Sequence, residues 1–330
     1  MTERKVKTPN PVADAIRSGD RRALARAITL VESTKPSDRD KAESLLAELL
    51  PASGGAMRLG ISGSPGAGKS TFIEAFGRRL TGQGKSVAVL AVDPSSRRSG
   101  GSILGDKTRM EKLARDPKAF IRPSPAGETL GGVARRTREA LLLVEASGFD
   151  VVLVETVGVG QSETAVSDMV DLFVLLVPPG GGDDLQGIKR GVMELADLVL
   201  VTKSDGDLLT AANRAASDYH AALHLMRPKH KGLGADVLKV SALEGEGIGE
   251  AWSAMESMHK TLRRSGQLKQ LRSAQLRRWF WSEVESVLHE ELRNRSDLAE
   301  EARKLENAAA SGRTLPFAAA RTLFRRIIVA

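Results

Sequence analysis

The sequence predicts an α/β fold in which helices cover both faces of a mostly parallel sheet. Seven short segments are rich in Val and Leu and largely apolar, which is typical of parallel strands buried on both faces. Segments of helical periodicity alternate with them. The predicted strands are 57–62, 86–92, 119–122, 150–155, 171–177, 196–201 and 236–240. Ligands of such sheets bind at the carboxyl ends of the strands, and the polar motifs of this chain follow those ends.

Helical patterns flank this alternating region on both sides. Residues 11–50 predict helices with a polar break at Lys35–Asp40, and residues 51–55 have the composition of a linker. From about Gly266 the pattern is helical to the end of the chain. The predicted organisation is a helical segment over 1–55, an α/β domain over 56–265 and a helical arm over 266–330.

The predicted C-terminal arm carries an apolar stripe with a spacing of four residues. Such a stripe lies on one side of a helix and needs a packing partner. We therefore expect it to belong to a hydrophobic core, either of the chain itself or of a subunit interface. The stripe consists of Leu276, Phe280, Val284, Leu288 and Leu292.

Composition restricts the possible functions. The chain has 330 residues and no cysteine, which excludes disulfides, thiolate metal sites and a cysteine nucleophile. His220 and His224 could bind zinc as a pair, but no third ligand converges in the sequence, so a histidine metal site is not expected. The N-terminus is polar, and no apolar run approaches the roughly 20 residues that cross a bilayer. We therefore expect a cytoplasmic protein without a membrane segment.

The basic charge of the chain could serve an anionic substrate, an acidic partner or a nucleic acid. The formal net charge is +8, and the stretch between Glu256 and Glu283 contains basic residues but no acidic one. It is either a solvated helix face or a docking face for an acidic protein or a CoA-type ligand. A nucleic acid is not expected, because aromatic residues make up only 4% of the chain and no nucleic-acid-binding motif is present.

Residues 63–70 match the phosphate-binding loop pattern G-x-x-x-x-G-K-S/T, between a predicted strand and a helix predicted from Ser70 to Leu80. Glycines let backbone N–H groups converge on a β-phosphate, and the helix N-terminus favours an anion. Lys69 is expected to reach the β- and γ-phosphates, and the Ser70 hydroxyl to bind Mg²⁺. The sequence therefore predicts a nucleoside triphosphate site. Its loop residues are Gly63, Ser64, Pro65, Gly66, Ala67, Gly68, Lys69, Ser70 and Thr71.

Acidic residues follow two other strands. Asp93 could hold Mg²⁺ through a water or polarise the attacking water, although an Asp-Pro pair can also simply form a turn. The segment from Glu155 to Gly158 occupies the place of the D-x-x-G motif of G proteins. Glu155 can contact Mg²⁺ through water, and the Gly158 N–H can contact the γ-phosphate. Val159 stands where many small GTPases carry a catalytic glutamine, so we expect slow hydrolysis by the chain alone.

Two further motifs predict a guanine pocket. The segment from Thr202 to Asp205 resembles N-K-x-D, in which the aspartate accepts hydrogen bonds from guanine N1–H and the exocyclic amino group. Adenine lacks that donor pair, so Asp205 specifies GTP over ATP. Thr202 replaces the usual asparagine, and the Ser241 segment follows the next strand, where a backbone N–H usually contacts guanine O6. The expected base-binding residues are Thr202, Lys203, Asp205, Ser241, Ala242 and Leu243.

Two glycine-rich loops also follow strands. Residues 97–106 have the composition of a segment that is ordered by a γ-phosphate and released on hydrolysis. Residues 177–189 are glycine-rich in a way that ordinary small GTPases are not. They form either a simple connection or a third switch that completes the active site, and we favour the switch.

Taken together, these motifs resemble the MeaB-type G-protein chaperones of adenosylcobalamin-dependent methylmalonyl-CoA mutase, also labelled ArgK or LAO/AO transport ATPases. The similarity runs through nearly the whole chain, and its long segments are more specific than a phosphate loop. The segments that carry it are 63–71, 91–96, 100–110, 120–125, 154–163 and 185–189.

The resemblance implies a P-loop G domain of the SIMIBI class with N-terminal helices and a C-terminal dimerisation arm. It implies a homodimer that hydrolyses GTP with Mg²⁺. The implied task is to gate adenosylcobalamin delivery to a mutase partner and to protect or rescue that mutase. Adenosylcobalamin would be met only through the partner.

The resemblance also implies roles for individual residues. The Mg²⁺ side would consist of Ser70, Asp93, Asp106 and Glu155. Asp183, Gln186 and Lys189 of the third switch would couple partner binding to hydrolysis. The implied catalytic set is Lys69, Asp93, Glu155, Gln186 and Lys189. The chain departs from the family at Thr202 and in the run 178–182.

Two other functions compete with this one. An ATP-dependent kinase linked to amino-acid transport is the main alternative, and Asp205 argues against it. A nickel-inserting GTPase of related fold would rely on Cys and His ligands, whereas this chain has no cysteine. The acyl group of the mutase substrate cannot be deduced, since methylmalonyl-, isobutyryl- and ethylmalonyl-CoA mutases share the cofactor.

Overall fold

The computed structural model of the protein describes residues 10–92, 110–123, 130–156, 162–180 and 190–329. Within them, seven parallel strands form one sheet in the order β3-β2-β4-β1-β5-β6-β7. The strands are β1 Met57–Gly63, β2 Val87–Val92, β3 Ala119–Arg122, β4 Val151–Thr156, β5 Leu172–Val177, β6 Leu198–Val201 and β7 Asp236–Lys239. The predicted α/β fold class is confirmed.

Helices surround the sheet and continue beyond it. Their bounds are α1 Pro11–Arg17, α2 Arg21–Glu32, α3 Pro36–Leu49, α4 Lys69–Gly82, α5 Glu111–Ala114, α6 Leu130–Ala146, α7 Ser162–Ser167, α8 Arg190–Met193, α9 Leu209–His224, α10 Ile248–Arg264, α11 Gln267–Asn294, α12 Ser296–Ala310 and α13 Pro316–Val329. Short 3₁₀ turns lie at Leu50–Ala52 and Gly206–Leu208. The chain divides into two compact units, residues 1–272 and 273–330.

The first unit has a hydrophobic core on each face of its sheet. Alternate residues of β2 belong to opposite cores, because successive side chains of a strand point to opposite faces. Ala88 and Leu90 pack with α1, α2, α3 and α6, whereas Val87 and Val89 pack with α4 and α10. The N-terminal helices therefore share a core with the sheet.

The N-terminal helices differ from the prediction at their breaks. The polar stretch Lys35–Asp40 was expected to interrupt the helical pattern, but α3 already begins at Pro36, because proline is well tolerated in the first turn of a helix. A second break, not predicted, separates α1 from α2. There Gly19 has a φ of +82°, and the Asp20 side chain accepts hydrogen bonds from the N–H groups of Arg22 and Ala23.

Much of the apolar stripe of the C-terminal unit is exposed in the part of the chain that the structure describes. Leu276 is 56% exposed, Phe280 60% and Leu288 42%, and the neighbouring Trp281 is 64% exposed. Packing inside this unit instead joins α12 to α13, where Leu298 and Ala319 are buried. The interpretation of the stripe as core of the single chain is wrong, and its interpretation as part of a subunit interface stays a prediction.

Aspartates bridge neighbouring strands at the amino end of the sheet. Asp150, Asp171 and Asp197 each stand directly before a strand and accept a hydrogen bond from a backbone N–H at the start of an adjacent strand. The donors are Ser86, Arg58 and Phe173, at distances of 2.7, 2.9 and 2.7 Å in that order. The amino ends of β2, β1 and β5 are thereby tied to β4, β5 and β6 respectively.

Asp171 is the centre of a buried ionic network. Arg272, at the end of the first unit, donates two hydrogen bonds to its carboxylate, at 2.8 and 2.7 Å. The same guanidinium donates to the carbonyl oxygens of Gly54 and Ala56, and His259 lies 3.4 Å from the carboxylate. Burial alone would raise the pKa of Asp171, but the hydrogen bonds from Arg272 and the Arg58 N–H, together with the nearby His259, lower it to about 2.

This pKa predicts a stability change at acid pH. An aspartate has a pKa near 3.8 in the unfolded chain, so its ionised form contributes about 2 kcal/mol that is present above that pH and lost as the pH falls through about 2. Replacing Asp171 by asparagine removes this dependence and strands the buried Arg272 charge. We expect Asp171→Asn to lose about 3–5 kcal/mol of unfolding free energy at neutral pH.

Urea unfolding at a series of pH values measures both effects. Asp14→Asn is the matched control, because Asp14 is exposed and its ion pair with Arg17 is worth little. A variant of Asp171 that is as stable as the control would show that the network contributes nothing to folding.

Candidate nucleotide site

The phosphate loop connects the end of β1 to the start of α4, as predicted. Gly63 has no room for a side chain, since a Cβ there would lie 2.3 Å from the carbonyl oxygen of Leu176. Gly66 and Gly68 have φ values of +81° and +83°, and Gly68 is the N-cap of α4. A Cβ built on either of these two glycines meets nothing within 4 Å. Both glycines thus have the left-handed backbone that this loop requires, and the loop leads into the positive end of the helix dipole, which favours an anion.

Lys69 lies inside the curve of this loop. Its Nζ donates hydrogen bonds to the carbonyl oxygens of Gly63 at 2.7 Å and of Ser64 at 3.2 Å. Burial lowers the pKa of Lys69 below its ordinary value, while the carboxylates of Glu155 and Glu163 act in the opposite direction. An ammonium group has three donors, so this cation can keep loop contacts and also reach a phosphate oxygen.

Glu155 and Ser70 are the predicted Mg²⁺ ligands that the described residues include. Glu155 is the second-last residue of β4, pairs with Ile61 of β1 and is 3% exposed, and Ser70 lies half-buried in the first turn of α4. Next to Glu155, Thr156 donates a hydrogen bond to the buried Ser62 hydroxyl at 2.9 Å. A hydroxyl and a carboxylate are hard oxygen donors, which fit Mg²⁺ when waters and phosphates complete its octahedral shell.

No group of three or more His, Asp or Glu side chains suited to a metal occurs within the part of the chain that the structure describes. His220 and His224 contact each other, with ring centroids 4.7 Å apart, on the exposed side of α9.

Glu163 was not among the predicted site residues. It lies in the first turn of α7, is 2% exposed and acts electrostatically on Lys69. In the sequence analysis Glu163 appears only as the last residue of segment 154–163, one of those that carry the family resemblance. Its position between polar neighbours gave no sign of burial, so residue periodicity could not have identified it.

Thr202 joins the phosphate loop to the predicted base pocket. Its buried hydroxyl hydrogen-bonds the carbonyl oxygen of Ala67 at 2.8 Å and lies 3.1 Å from that of Val177. These contacts connect the end of β6 to the loop and to the end of β5. The threonine that replaces the usual asparagine thus has a defined place within the site.

The predicted base-binding residues lie together at the ends of β6 and β7. The Ser241 hydroxyl donates a hydrogen bond to the Asp205 carboxylate, and the Ser204 N–H donates to the Val240 carbonyl at 3.2 Å. Lys203 adopts a left-handed backbone with a φ of +52°. Asp205 is partly exposed, and its carboxylate is held in place at the rim of the site. Of the other two residues, Ala242 is half-buried and Leu243 is 79% exposed.

Some predicted site residues lie outside the described ranges, and their roles stay predictions. They are Asp93, Asp106, Gly158, Val159, Asp183, Gln186 and Lys189. None of the described helices is both long and apolar enough to cross a membrane.

Comparisons with known proteins agree with this geometry. Residues 24–297 match the family model described as methylmalonyl-CoA mutase-associated GTPase MeaB. The GTPase ArgK of Escherichia coli is 53% identical over 270 residues, which are 82% of this chain and 82% of that protein. The mouse protein named methylmalonic aciduria type A homolog, mitochondrial, is 49% identical over 93% of this chain and 76% of its own length.

A solved structure also resembles the whole chain. The crystal structure of an LAO/AO transport system kinase superposes with a TM-score of 0.77 and is 41% identical. The match covers 96% of each chain. The similarity therefore extends over both the nucleotide site and the helical arm.

Proposed function

Because the chain belongs to the MeaB family of methylmalonyl-CoA mutase-associated GTPases, we propose that it is a homodimeric GTPase chaperone of an adenosylcobalamin-dependent acyl-CoA mutase. The chain is a P-loop GTP hydrolase. Its task is to gate cofactor delivery to the mutase, most simply methylmalonyl-CoA mutase, and to protect or reactivate that enzyme. One observation carries the proposal: the family match spans both the nucleotide site and all of α11.

The described residues support a guanine nucleotide as the ligand. The loop from Gly63 to Gly68 and the Lys69 cation suit the phosphates, while Asp205 suits the N1–H and amino group of guanine. Thr202 couples the two halves through its bond to Ala67. Lys69, Ser70, Glu155 and Asp93 would act at the phosphates and Mg²⁺. The metal would neutralise the charge that develops on the γ-phosphate.

Hydrolysis serves as a switch in this proposal. A nucleotide can bias the partner only if its two states favour different arrangements of the protein. Gln186 and Lys189 would complete the site when the mutase is bound, because Val159 supplies no catalytic side chain. The exposed stripe on α11 supports a homodimer, since a second copy would remove those apolar groups from water.

The rival function is a kinase linked to amino-acid transport. A kinase of that kind would use ATP, and adenine cannot supply the two donors that Asp205 accepts. The Ser241 bond, which fixes the Asp205 carboxylate, therefore favours the GTPase. Nucleotide selectivity separates the two functions.

Turnover with and without mutase tests the proposal. We expect slow hydrolysis that is selective for GTP over ATP and that rises about tenfold or more at saturating mutase, because the partner completes the active site. GTP turnover by the Lys69→Ala variant of this protein in the presence of the mutase is the control for contaminating hydrolases. The chaperone function would be contradicted if none of the adenosylcobalamin-dependent acyl-CoA mutases of the same cell changed the rate of GTP turnover. A preference for ATP over GTP would support the kinase.

A further inference from the structure

Two basic segments meet at the amino end of the sheet, opposite the nucleotide site. Residues 225–235 lead into β7, and residues 257–271 contain the end of α10 and the start of α11. The Gln267 side chain joins them, accepting from the Lys231 N–H at 3.0 Å and donating to the Lys231 carbonyl at 3.1 Å. Leu233 and Leu268, one from each segment, pack on the same core.

Neither segment contains an acidic residue. Two of their cations have acidic partners, Lys229 with Asp197 and Lys260 with Glu256. Five other exposed cations have no acidic partner within the described ranges. We call these five the basic face: Arg227, Lys231, Arg263, Arg264 and Lys269.

A simple solvated surface does not account well for this grouping. Surfaces without a binding role usually intersperse charges of both signs, whereas a patch of one sign attracts an opposite partner from a distance. The sheet end below this surface does contain carboxylates, but Asp171 and Asp197 are buried and bonded to Arg272 and Lys229. They therefore do little to offset the basic face.

The chemistry of the basic face favours a protein over a nucleic acid. Neither segment contains a Phe, Tyr or Trp on which a base could stack, and their two histidines, His230 and His259, are largely buried beside Asp197 and Asp171. Leu225 lies in the first segment and is 89% exposed. An apolar side chain beside charged groups fits a protein interface, where a partner excludes water from it.

We propose that the basic face docks an acidic surface of the mutase. This inference rests on the proposed chaperone function and adds a second contact to it, remote from the nucleotide. The switch residues would read the nucleotide, and the basic face would speed the encounter and fix the orientation of the two proteins. Binding through it should weaken with salt, since exposed charges are screened.

A charge-reversed variant tests this surface in the full-length protein. Lys231→Glu/Arg263→Glu/Arg264→Glu should bind the mutase about tenfold or more weakly than the wild type, with a shallower dependence on salt. Basal GTP turnover should not change, because none of the three residues belongs to the nucleotide site. The measurement is the mutase Kd by titration calorimetry at low and high salt.

Two further variants make the result specific. The first is a control triple variant that changes the net charge by the same amount as the charge-reversed variant, but at exposed cations outside the basic face: Arg78→Glu/Arg115→Glu/Arg214→Glu. It should bind the mutase as tightly as the wild type does. Lys231→Arg/Arg263→Lys/Arg264→Lys keeps the charge and should also retain binding. If the charge-reversed variant and the wild type bound the mutase with equal affinity, the proposal that the basic face docks the mutase would be wrong, while the chaperone function would remain intact.

The remaining outcomes are equally decisive. Wild-type protein that binds no mutase would overturn both the proposed function and this surface. A duplex oligonucleotide that binds the wild type but not the charge-reversed variant, with mutase affinity unchanged, would assign the basic face to nucleic acid instead.

Discussion

Replacing Lys69 by alanine is expected to lower GTP turnover by about a hundredfold to a thousandfold. A preorganised donor aimed at charge that develops in the transition state contributes about this much. Lys69 fits that role because the loop carbonyls of Gly63 and Ser64 hold its ammonium group in position. Its surroundings are partly dehydrated, which strengthens its attraction for a phosphate.

The loss should appear mainly in kcat, because Lys69 would interact more strongly with the phosphates in the transition state, when the bond to the γ-phosphate breaks, than in the bound substrate. Lys69→Arg should also be impaired, because a planar guanidinium does not fit where a compact ammonium sits. Lys41→Ala is the control, as Lys41 is 70% exposed and lies on α3. Single-turnover kinetics on the three variants separates binding from chemistry. A Lys69→Ala rate within threefold of wild type would remove this residue from the catalytic set.

Asp205→Asn is expected to weaken GTP binding by about a hundredfold or more. In the proposed site the carboxylate would accept two hydrogen bonds from guanine, and a charged acceptor contributes about 1.5–3 kcal/mol for each bond. An asparagine amide can instead donate to the C2 oxygen of xanthine. The variant should therefore gain affinity for xanthine nucleotides as it loses affinity for guanine nucleotides.

Titration of GDP and XDP into the wild type and the variant measures this exchange. Asp207→Asn is the matched control, because Asp207 is an exposed aspartate only two residues away. Ser241→Ala removes the hydroxyl that holds the Asp205 carboxylate, and it should weaken GDP binding by about tenfold without changing the order of preference. Unchanged selectivity of Asp205→Asn would remove the guanine assignment.

The sheet and the phosphate loop were predictable from the sequence because their signals are local. Runs such as residues 87–92 are apolar on both faces, and only a covered parallel strand needs that pattern. The loop is equally clear, since Gly63, Gly68 and Lys69 stand at fixed spacings that the phosphates require. The predicted strand ends differ from the observed ones by at most two residues.

Contacts between distant parts of the chain were not predictable. Arg272 and Asp171 are 101 residues apart, and nothing near either one indicates the pairing. The burial of Glu163 likewise depends on how α7 packs and not on its neighbours in sequence. For the stripe on α11 the local pattern was visible but its packing partner was not. A periodic apolar pattern indicates that one face of a helix needs a partner, but not whether that partner lies in the same chain.

The aspartates before β4, β5 and β6 have a consequence for how the strands find their alignment. A strand that is apolar on both faces can shift along its neighbour and still bury nearly the same surface, so hydrophobic burial alone chooses weakly among alignments. A shift would separate Asp150, Asp171 or Asp197 from its N–H donor, and Asp171 and Asp197 would then lose that bond at a buried position. These three residues therefore supply the discrimination against misaligned sheets that the uniform Val and Leu runs cannot provide.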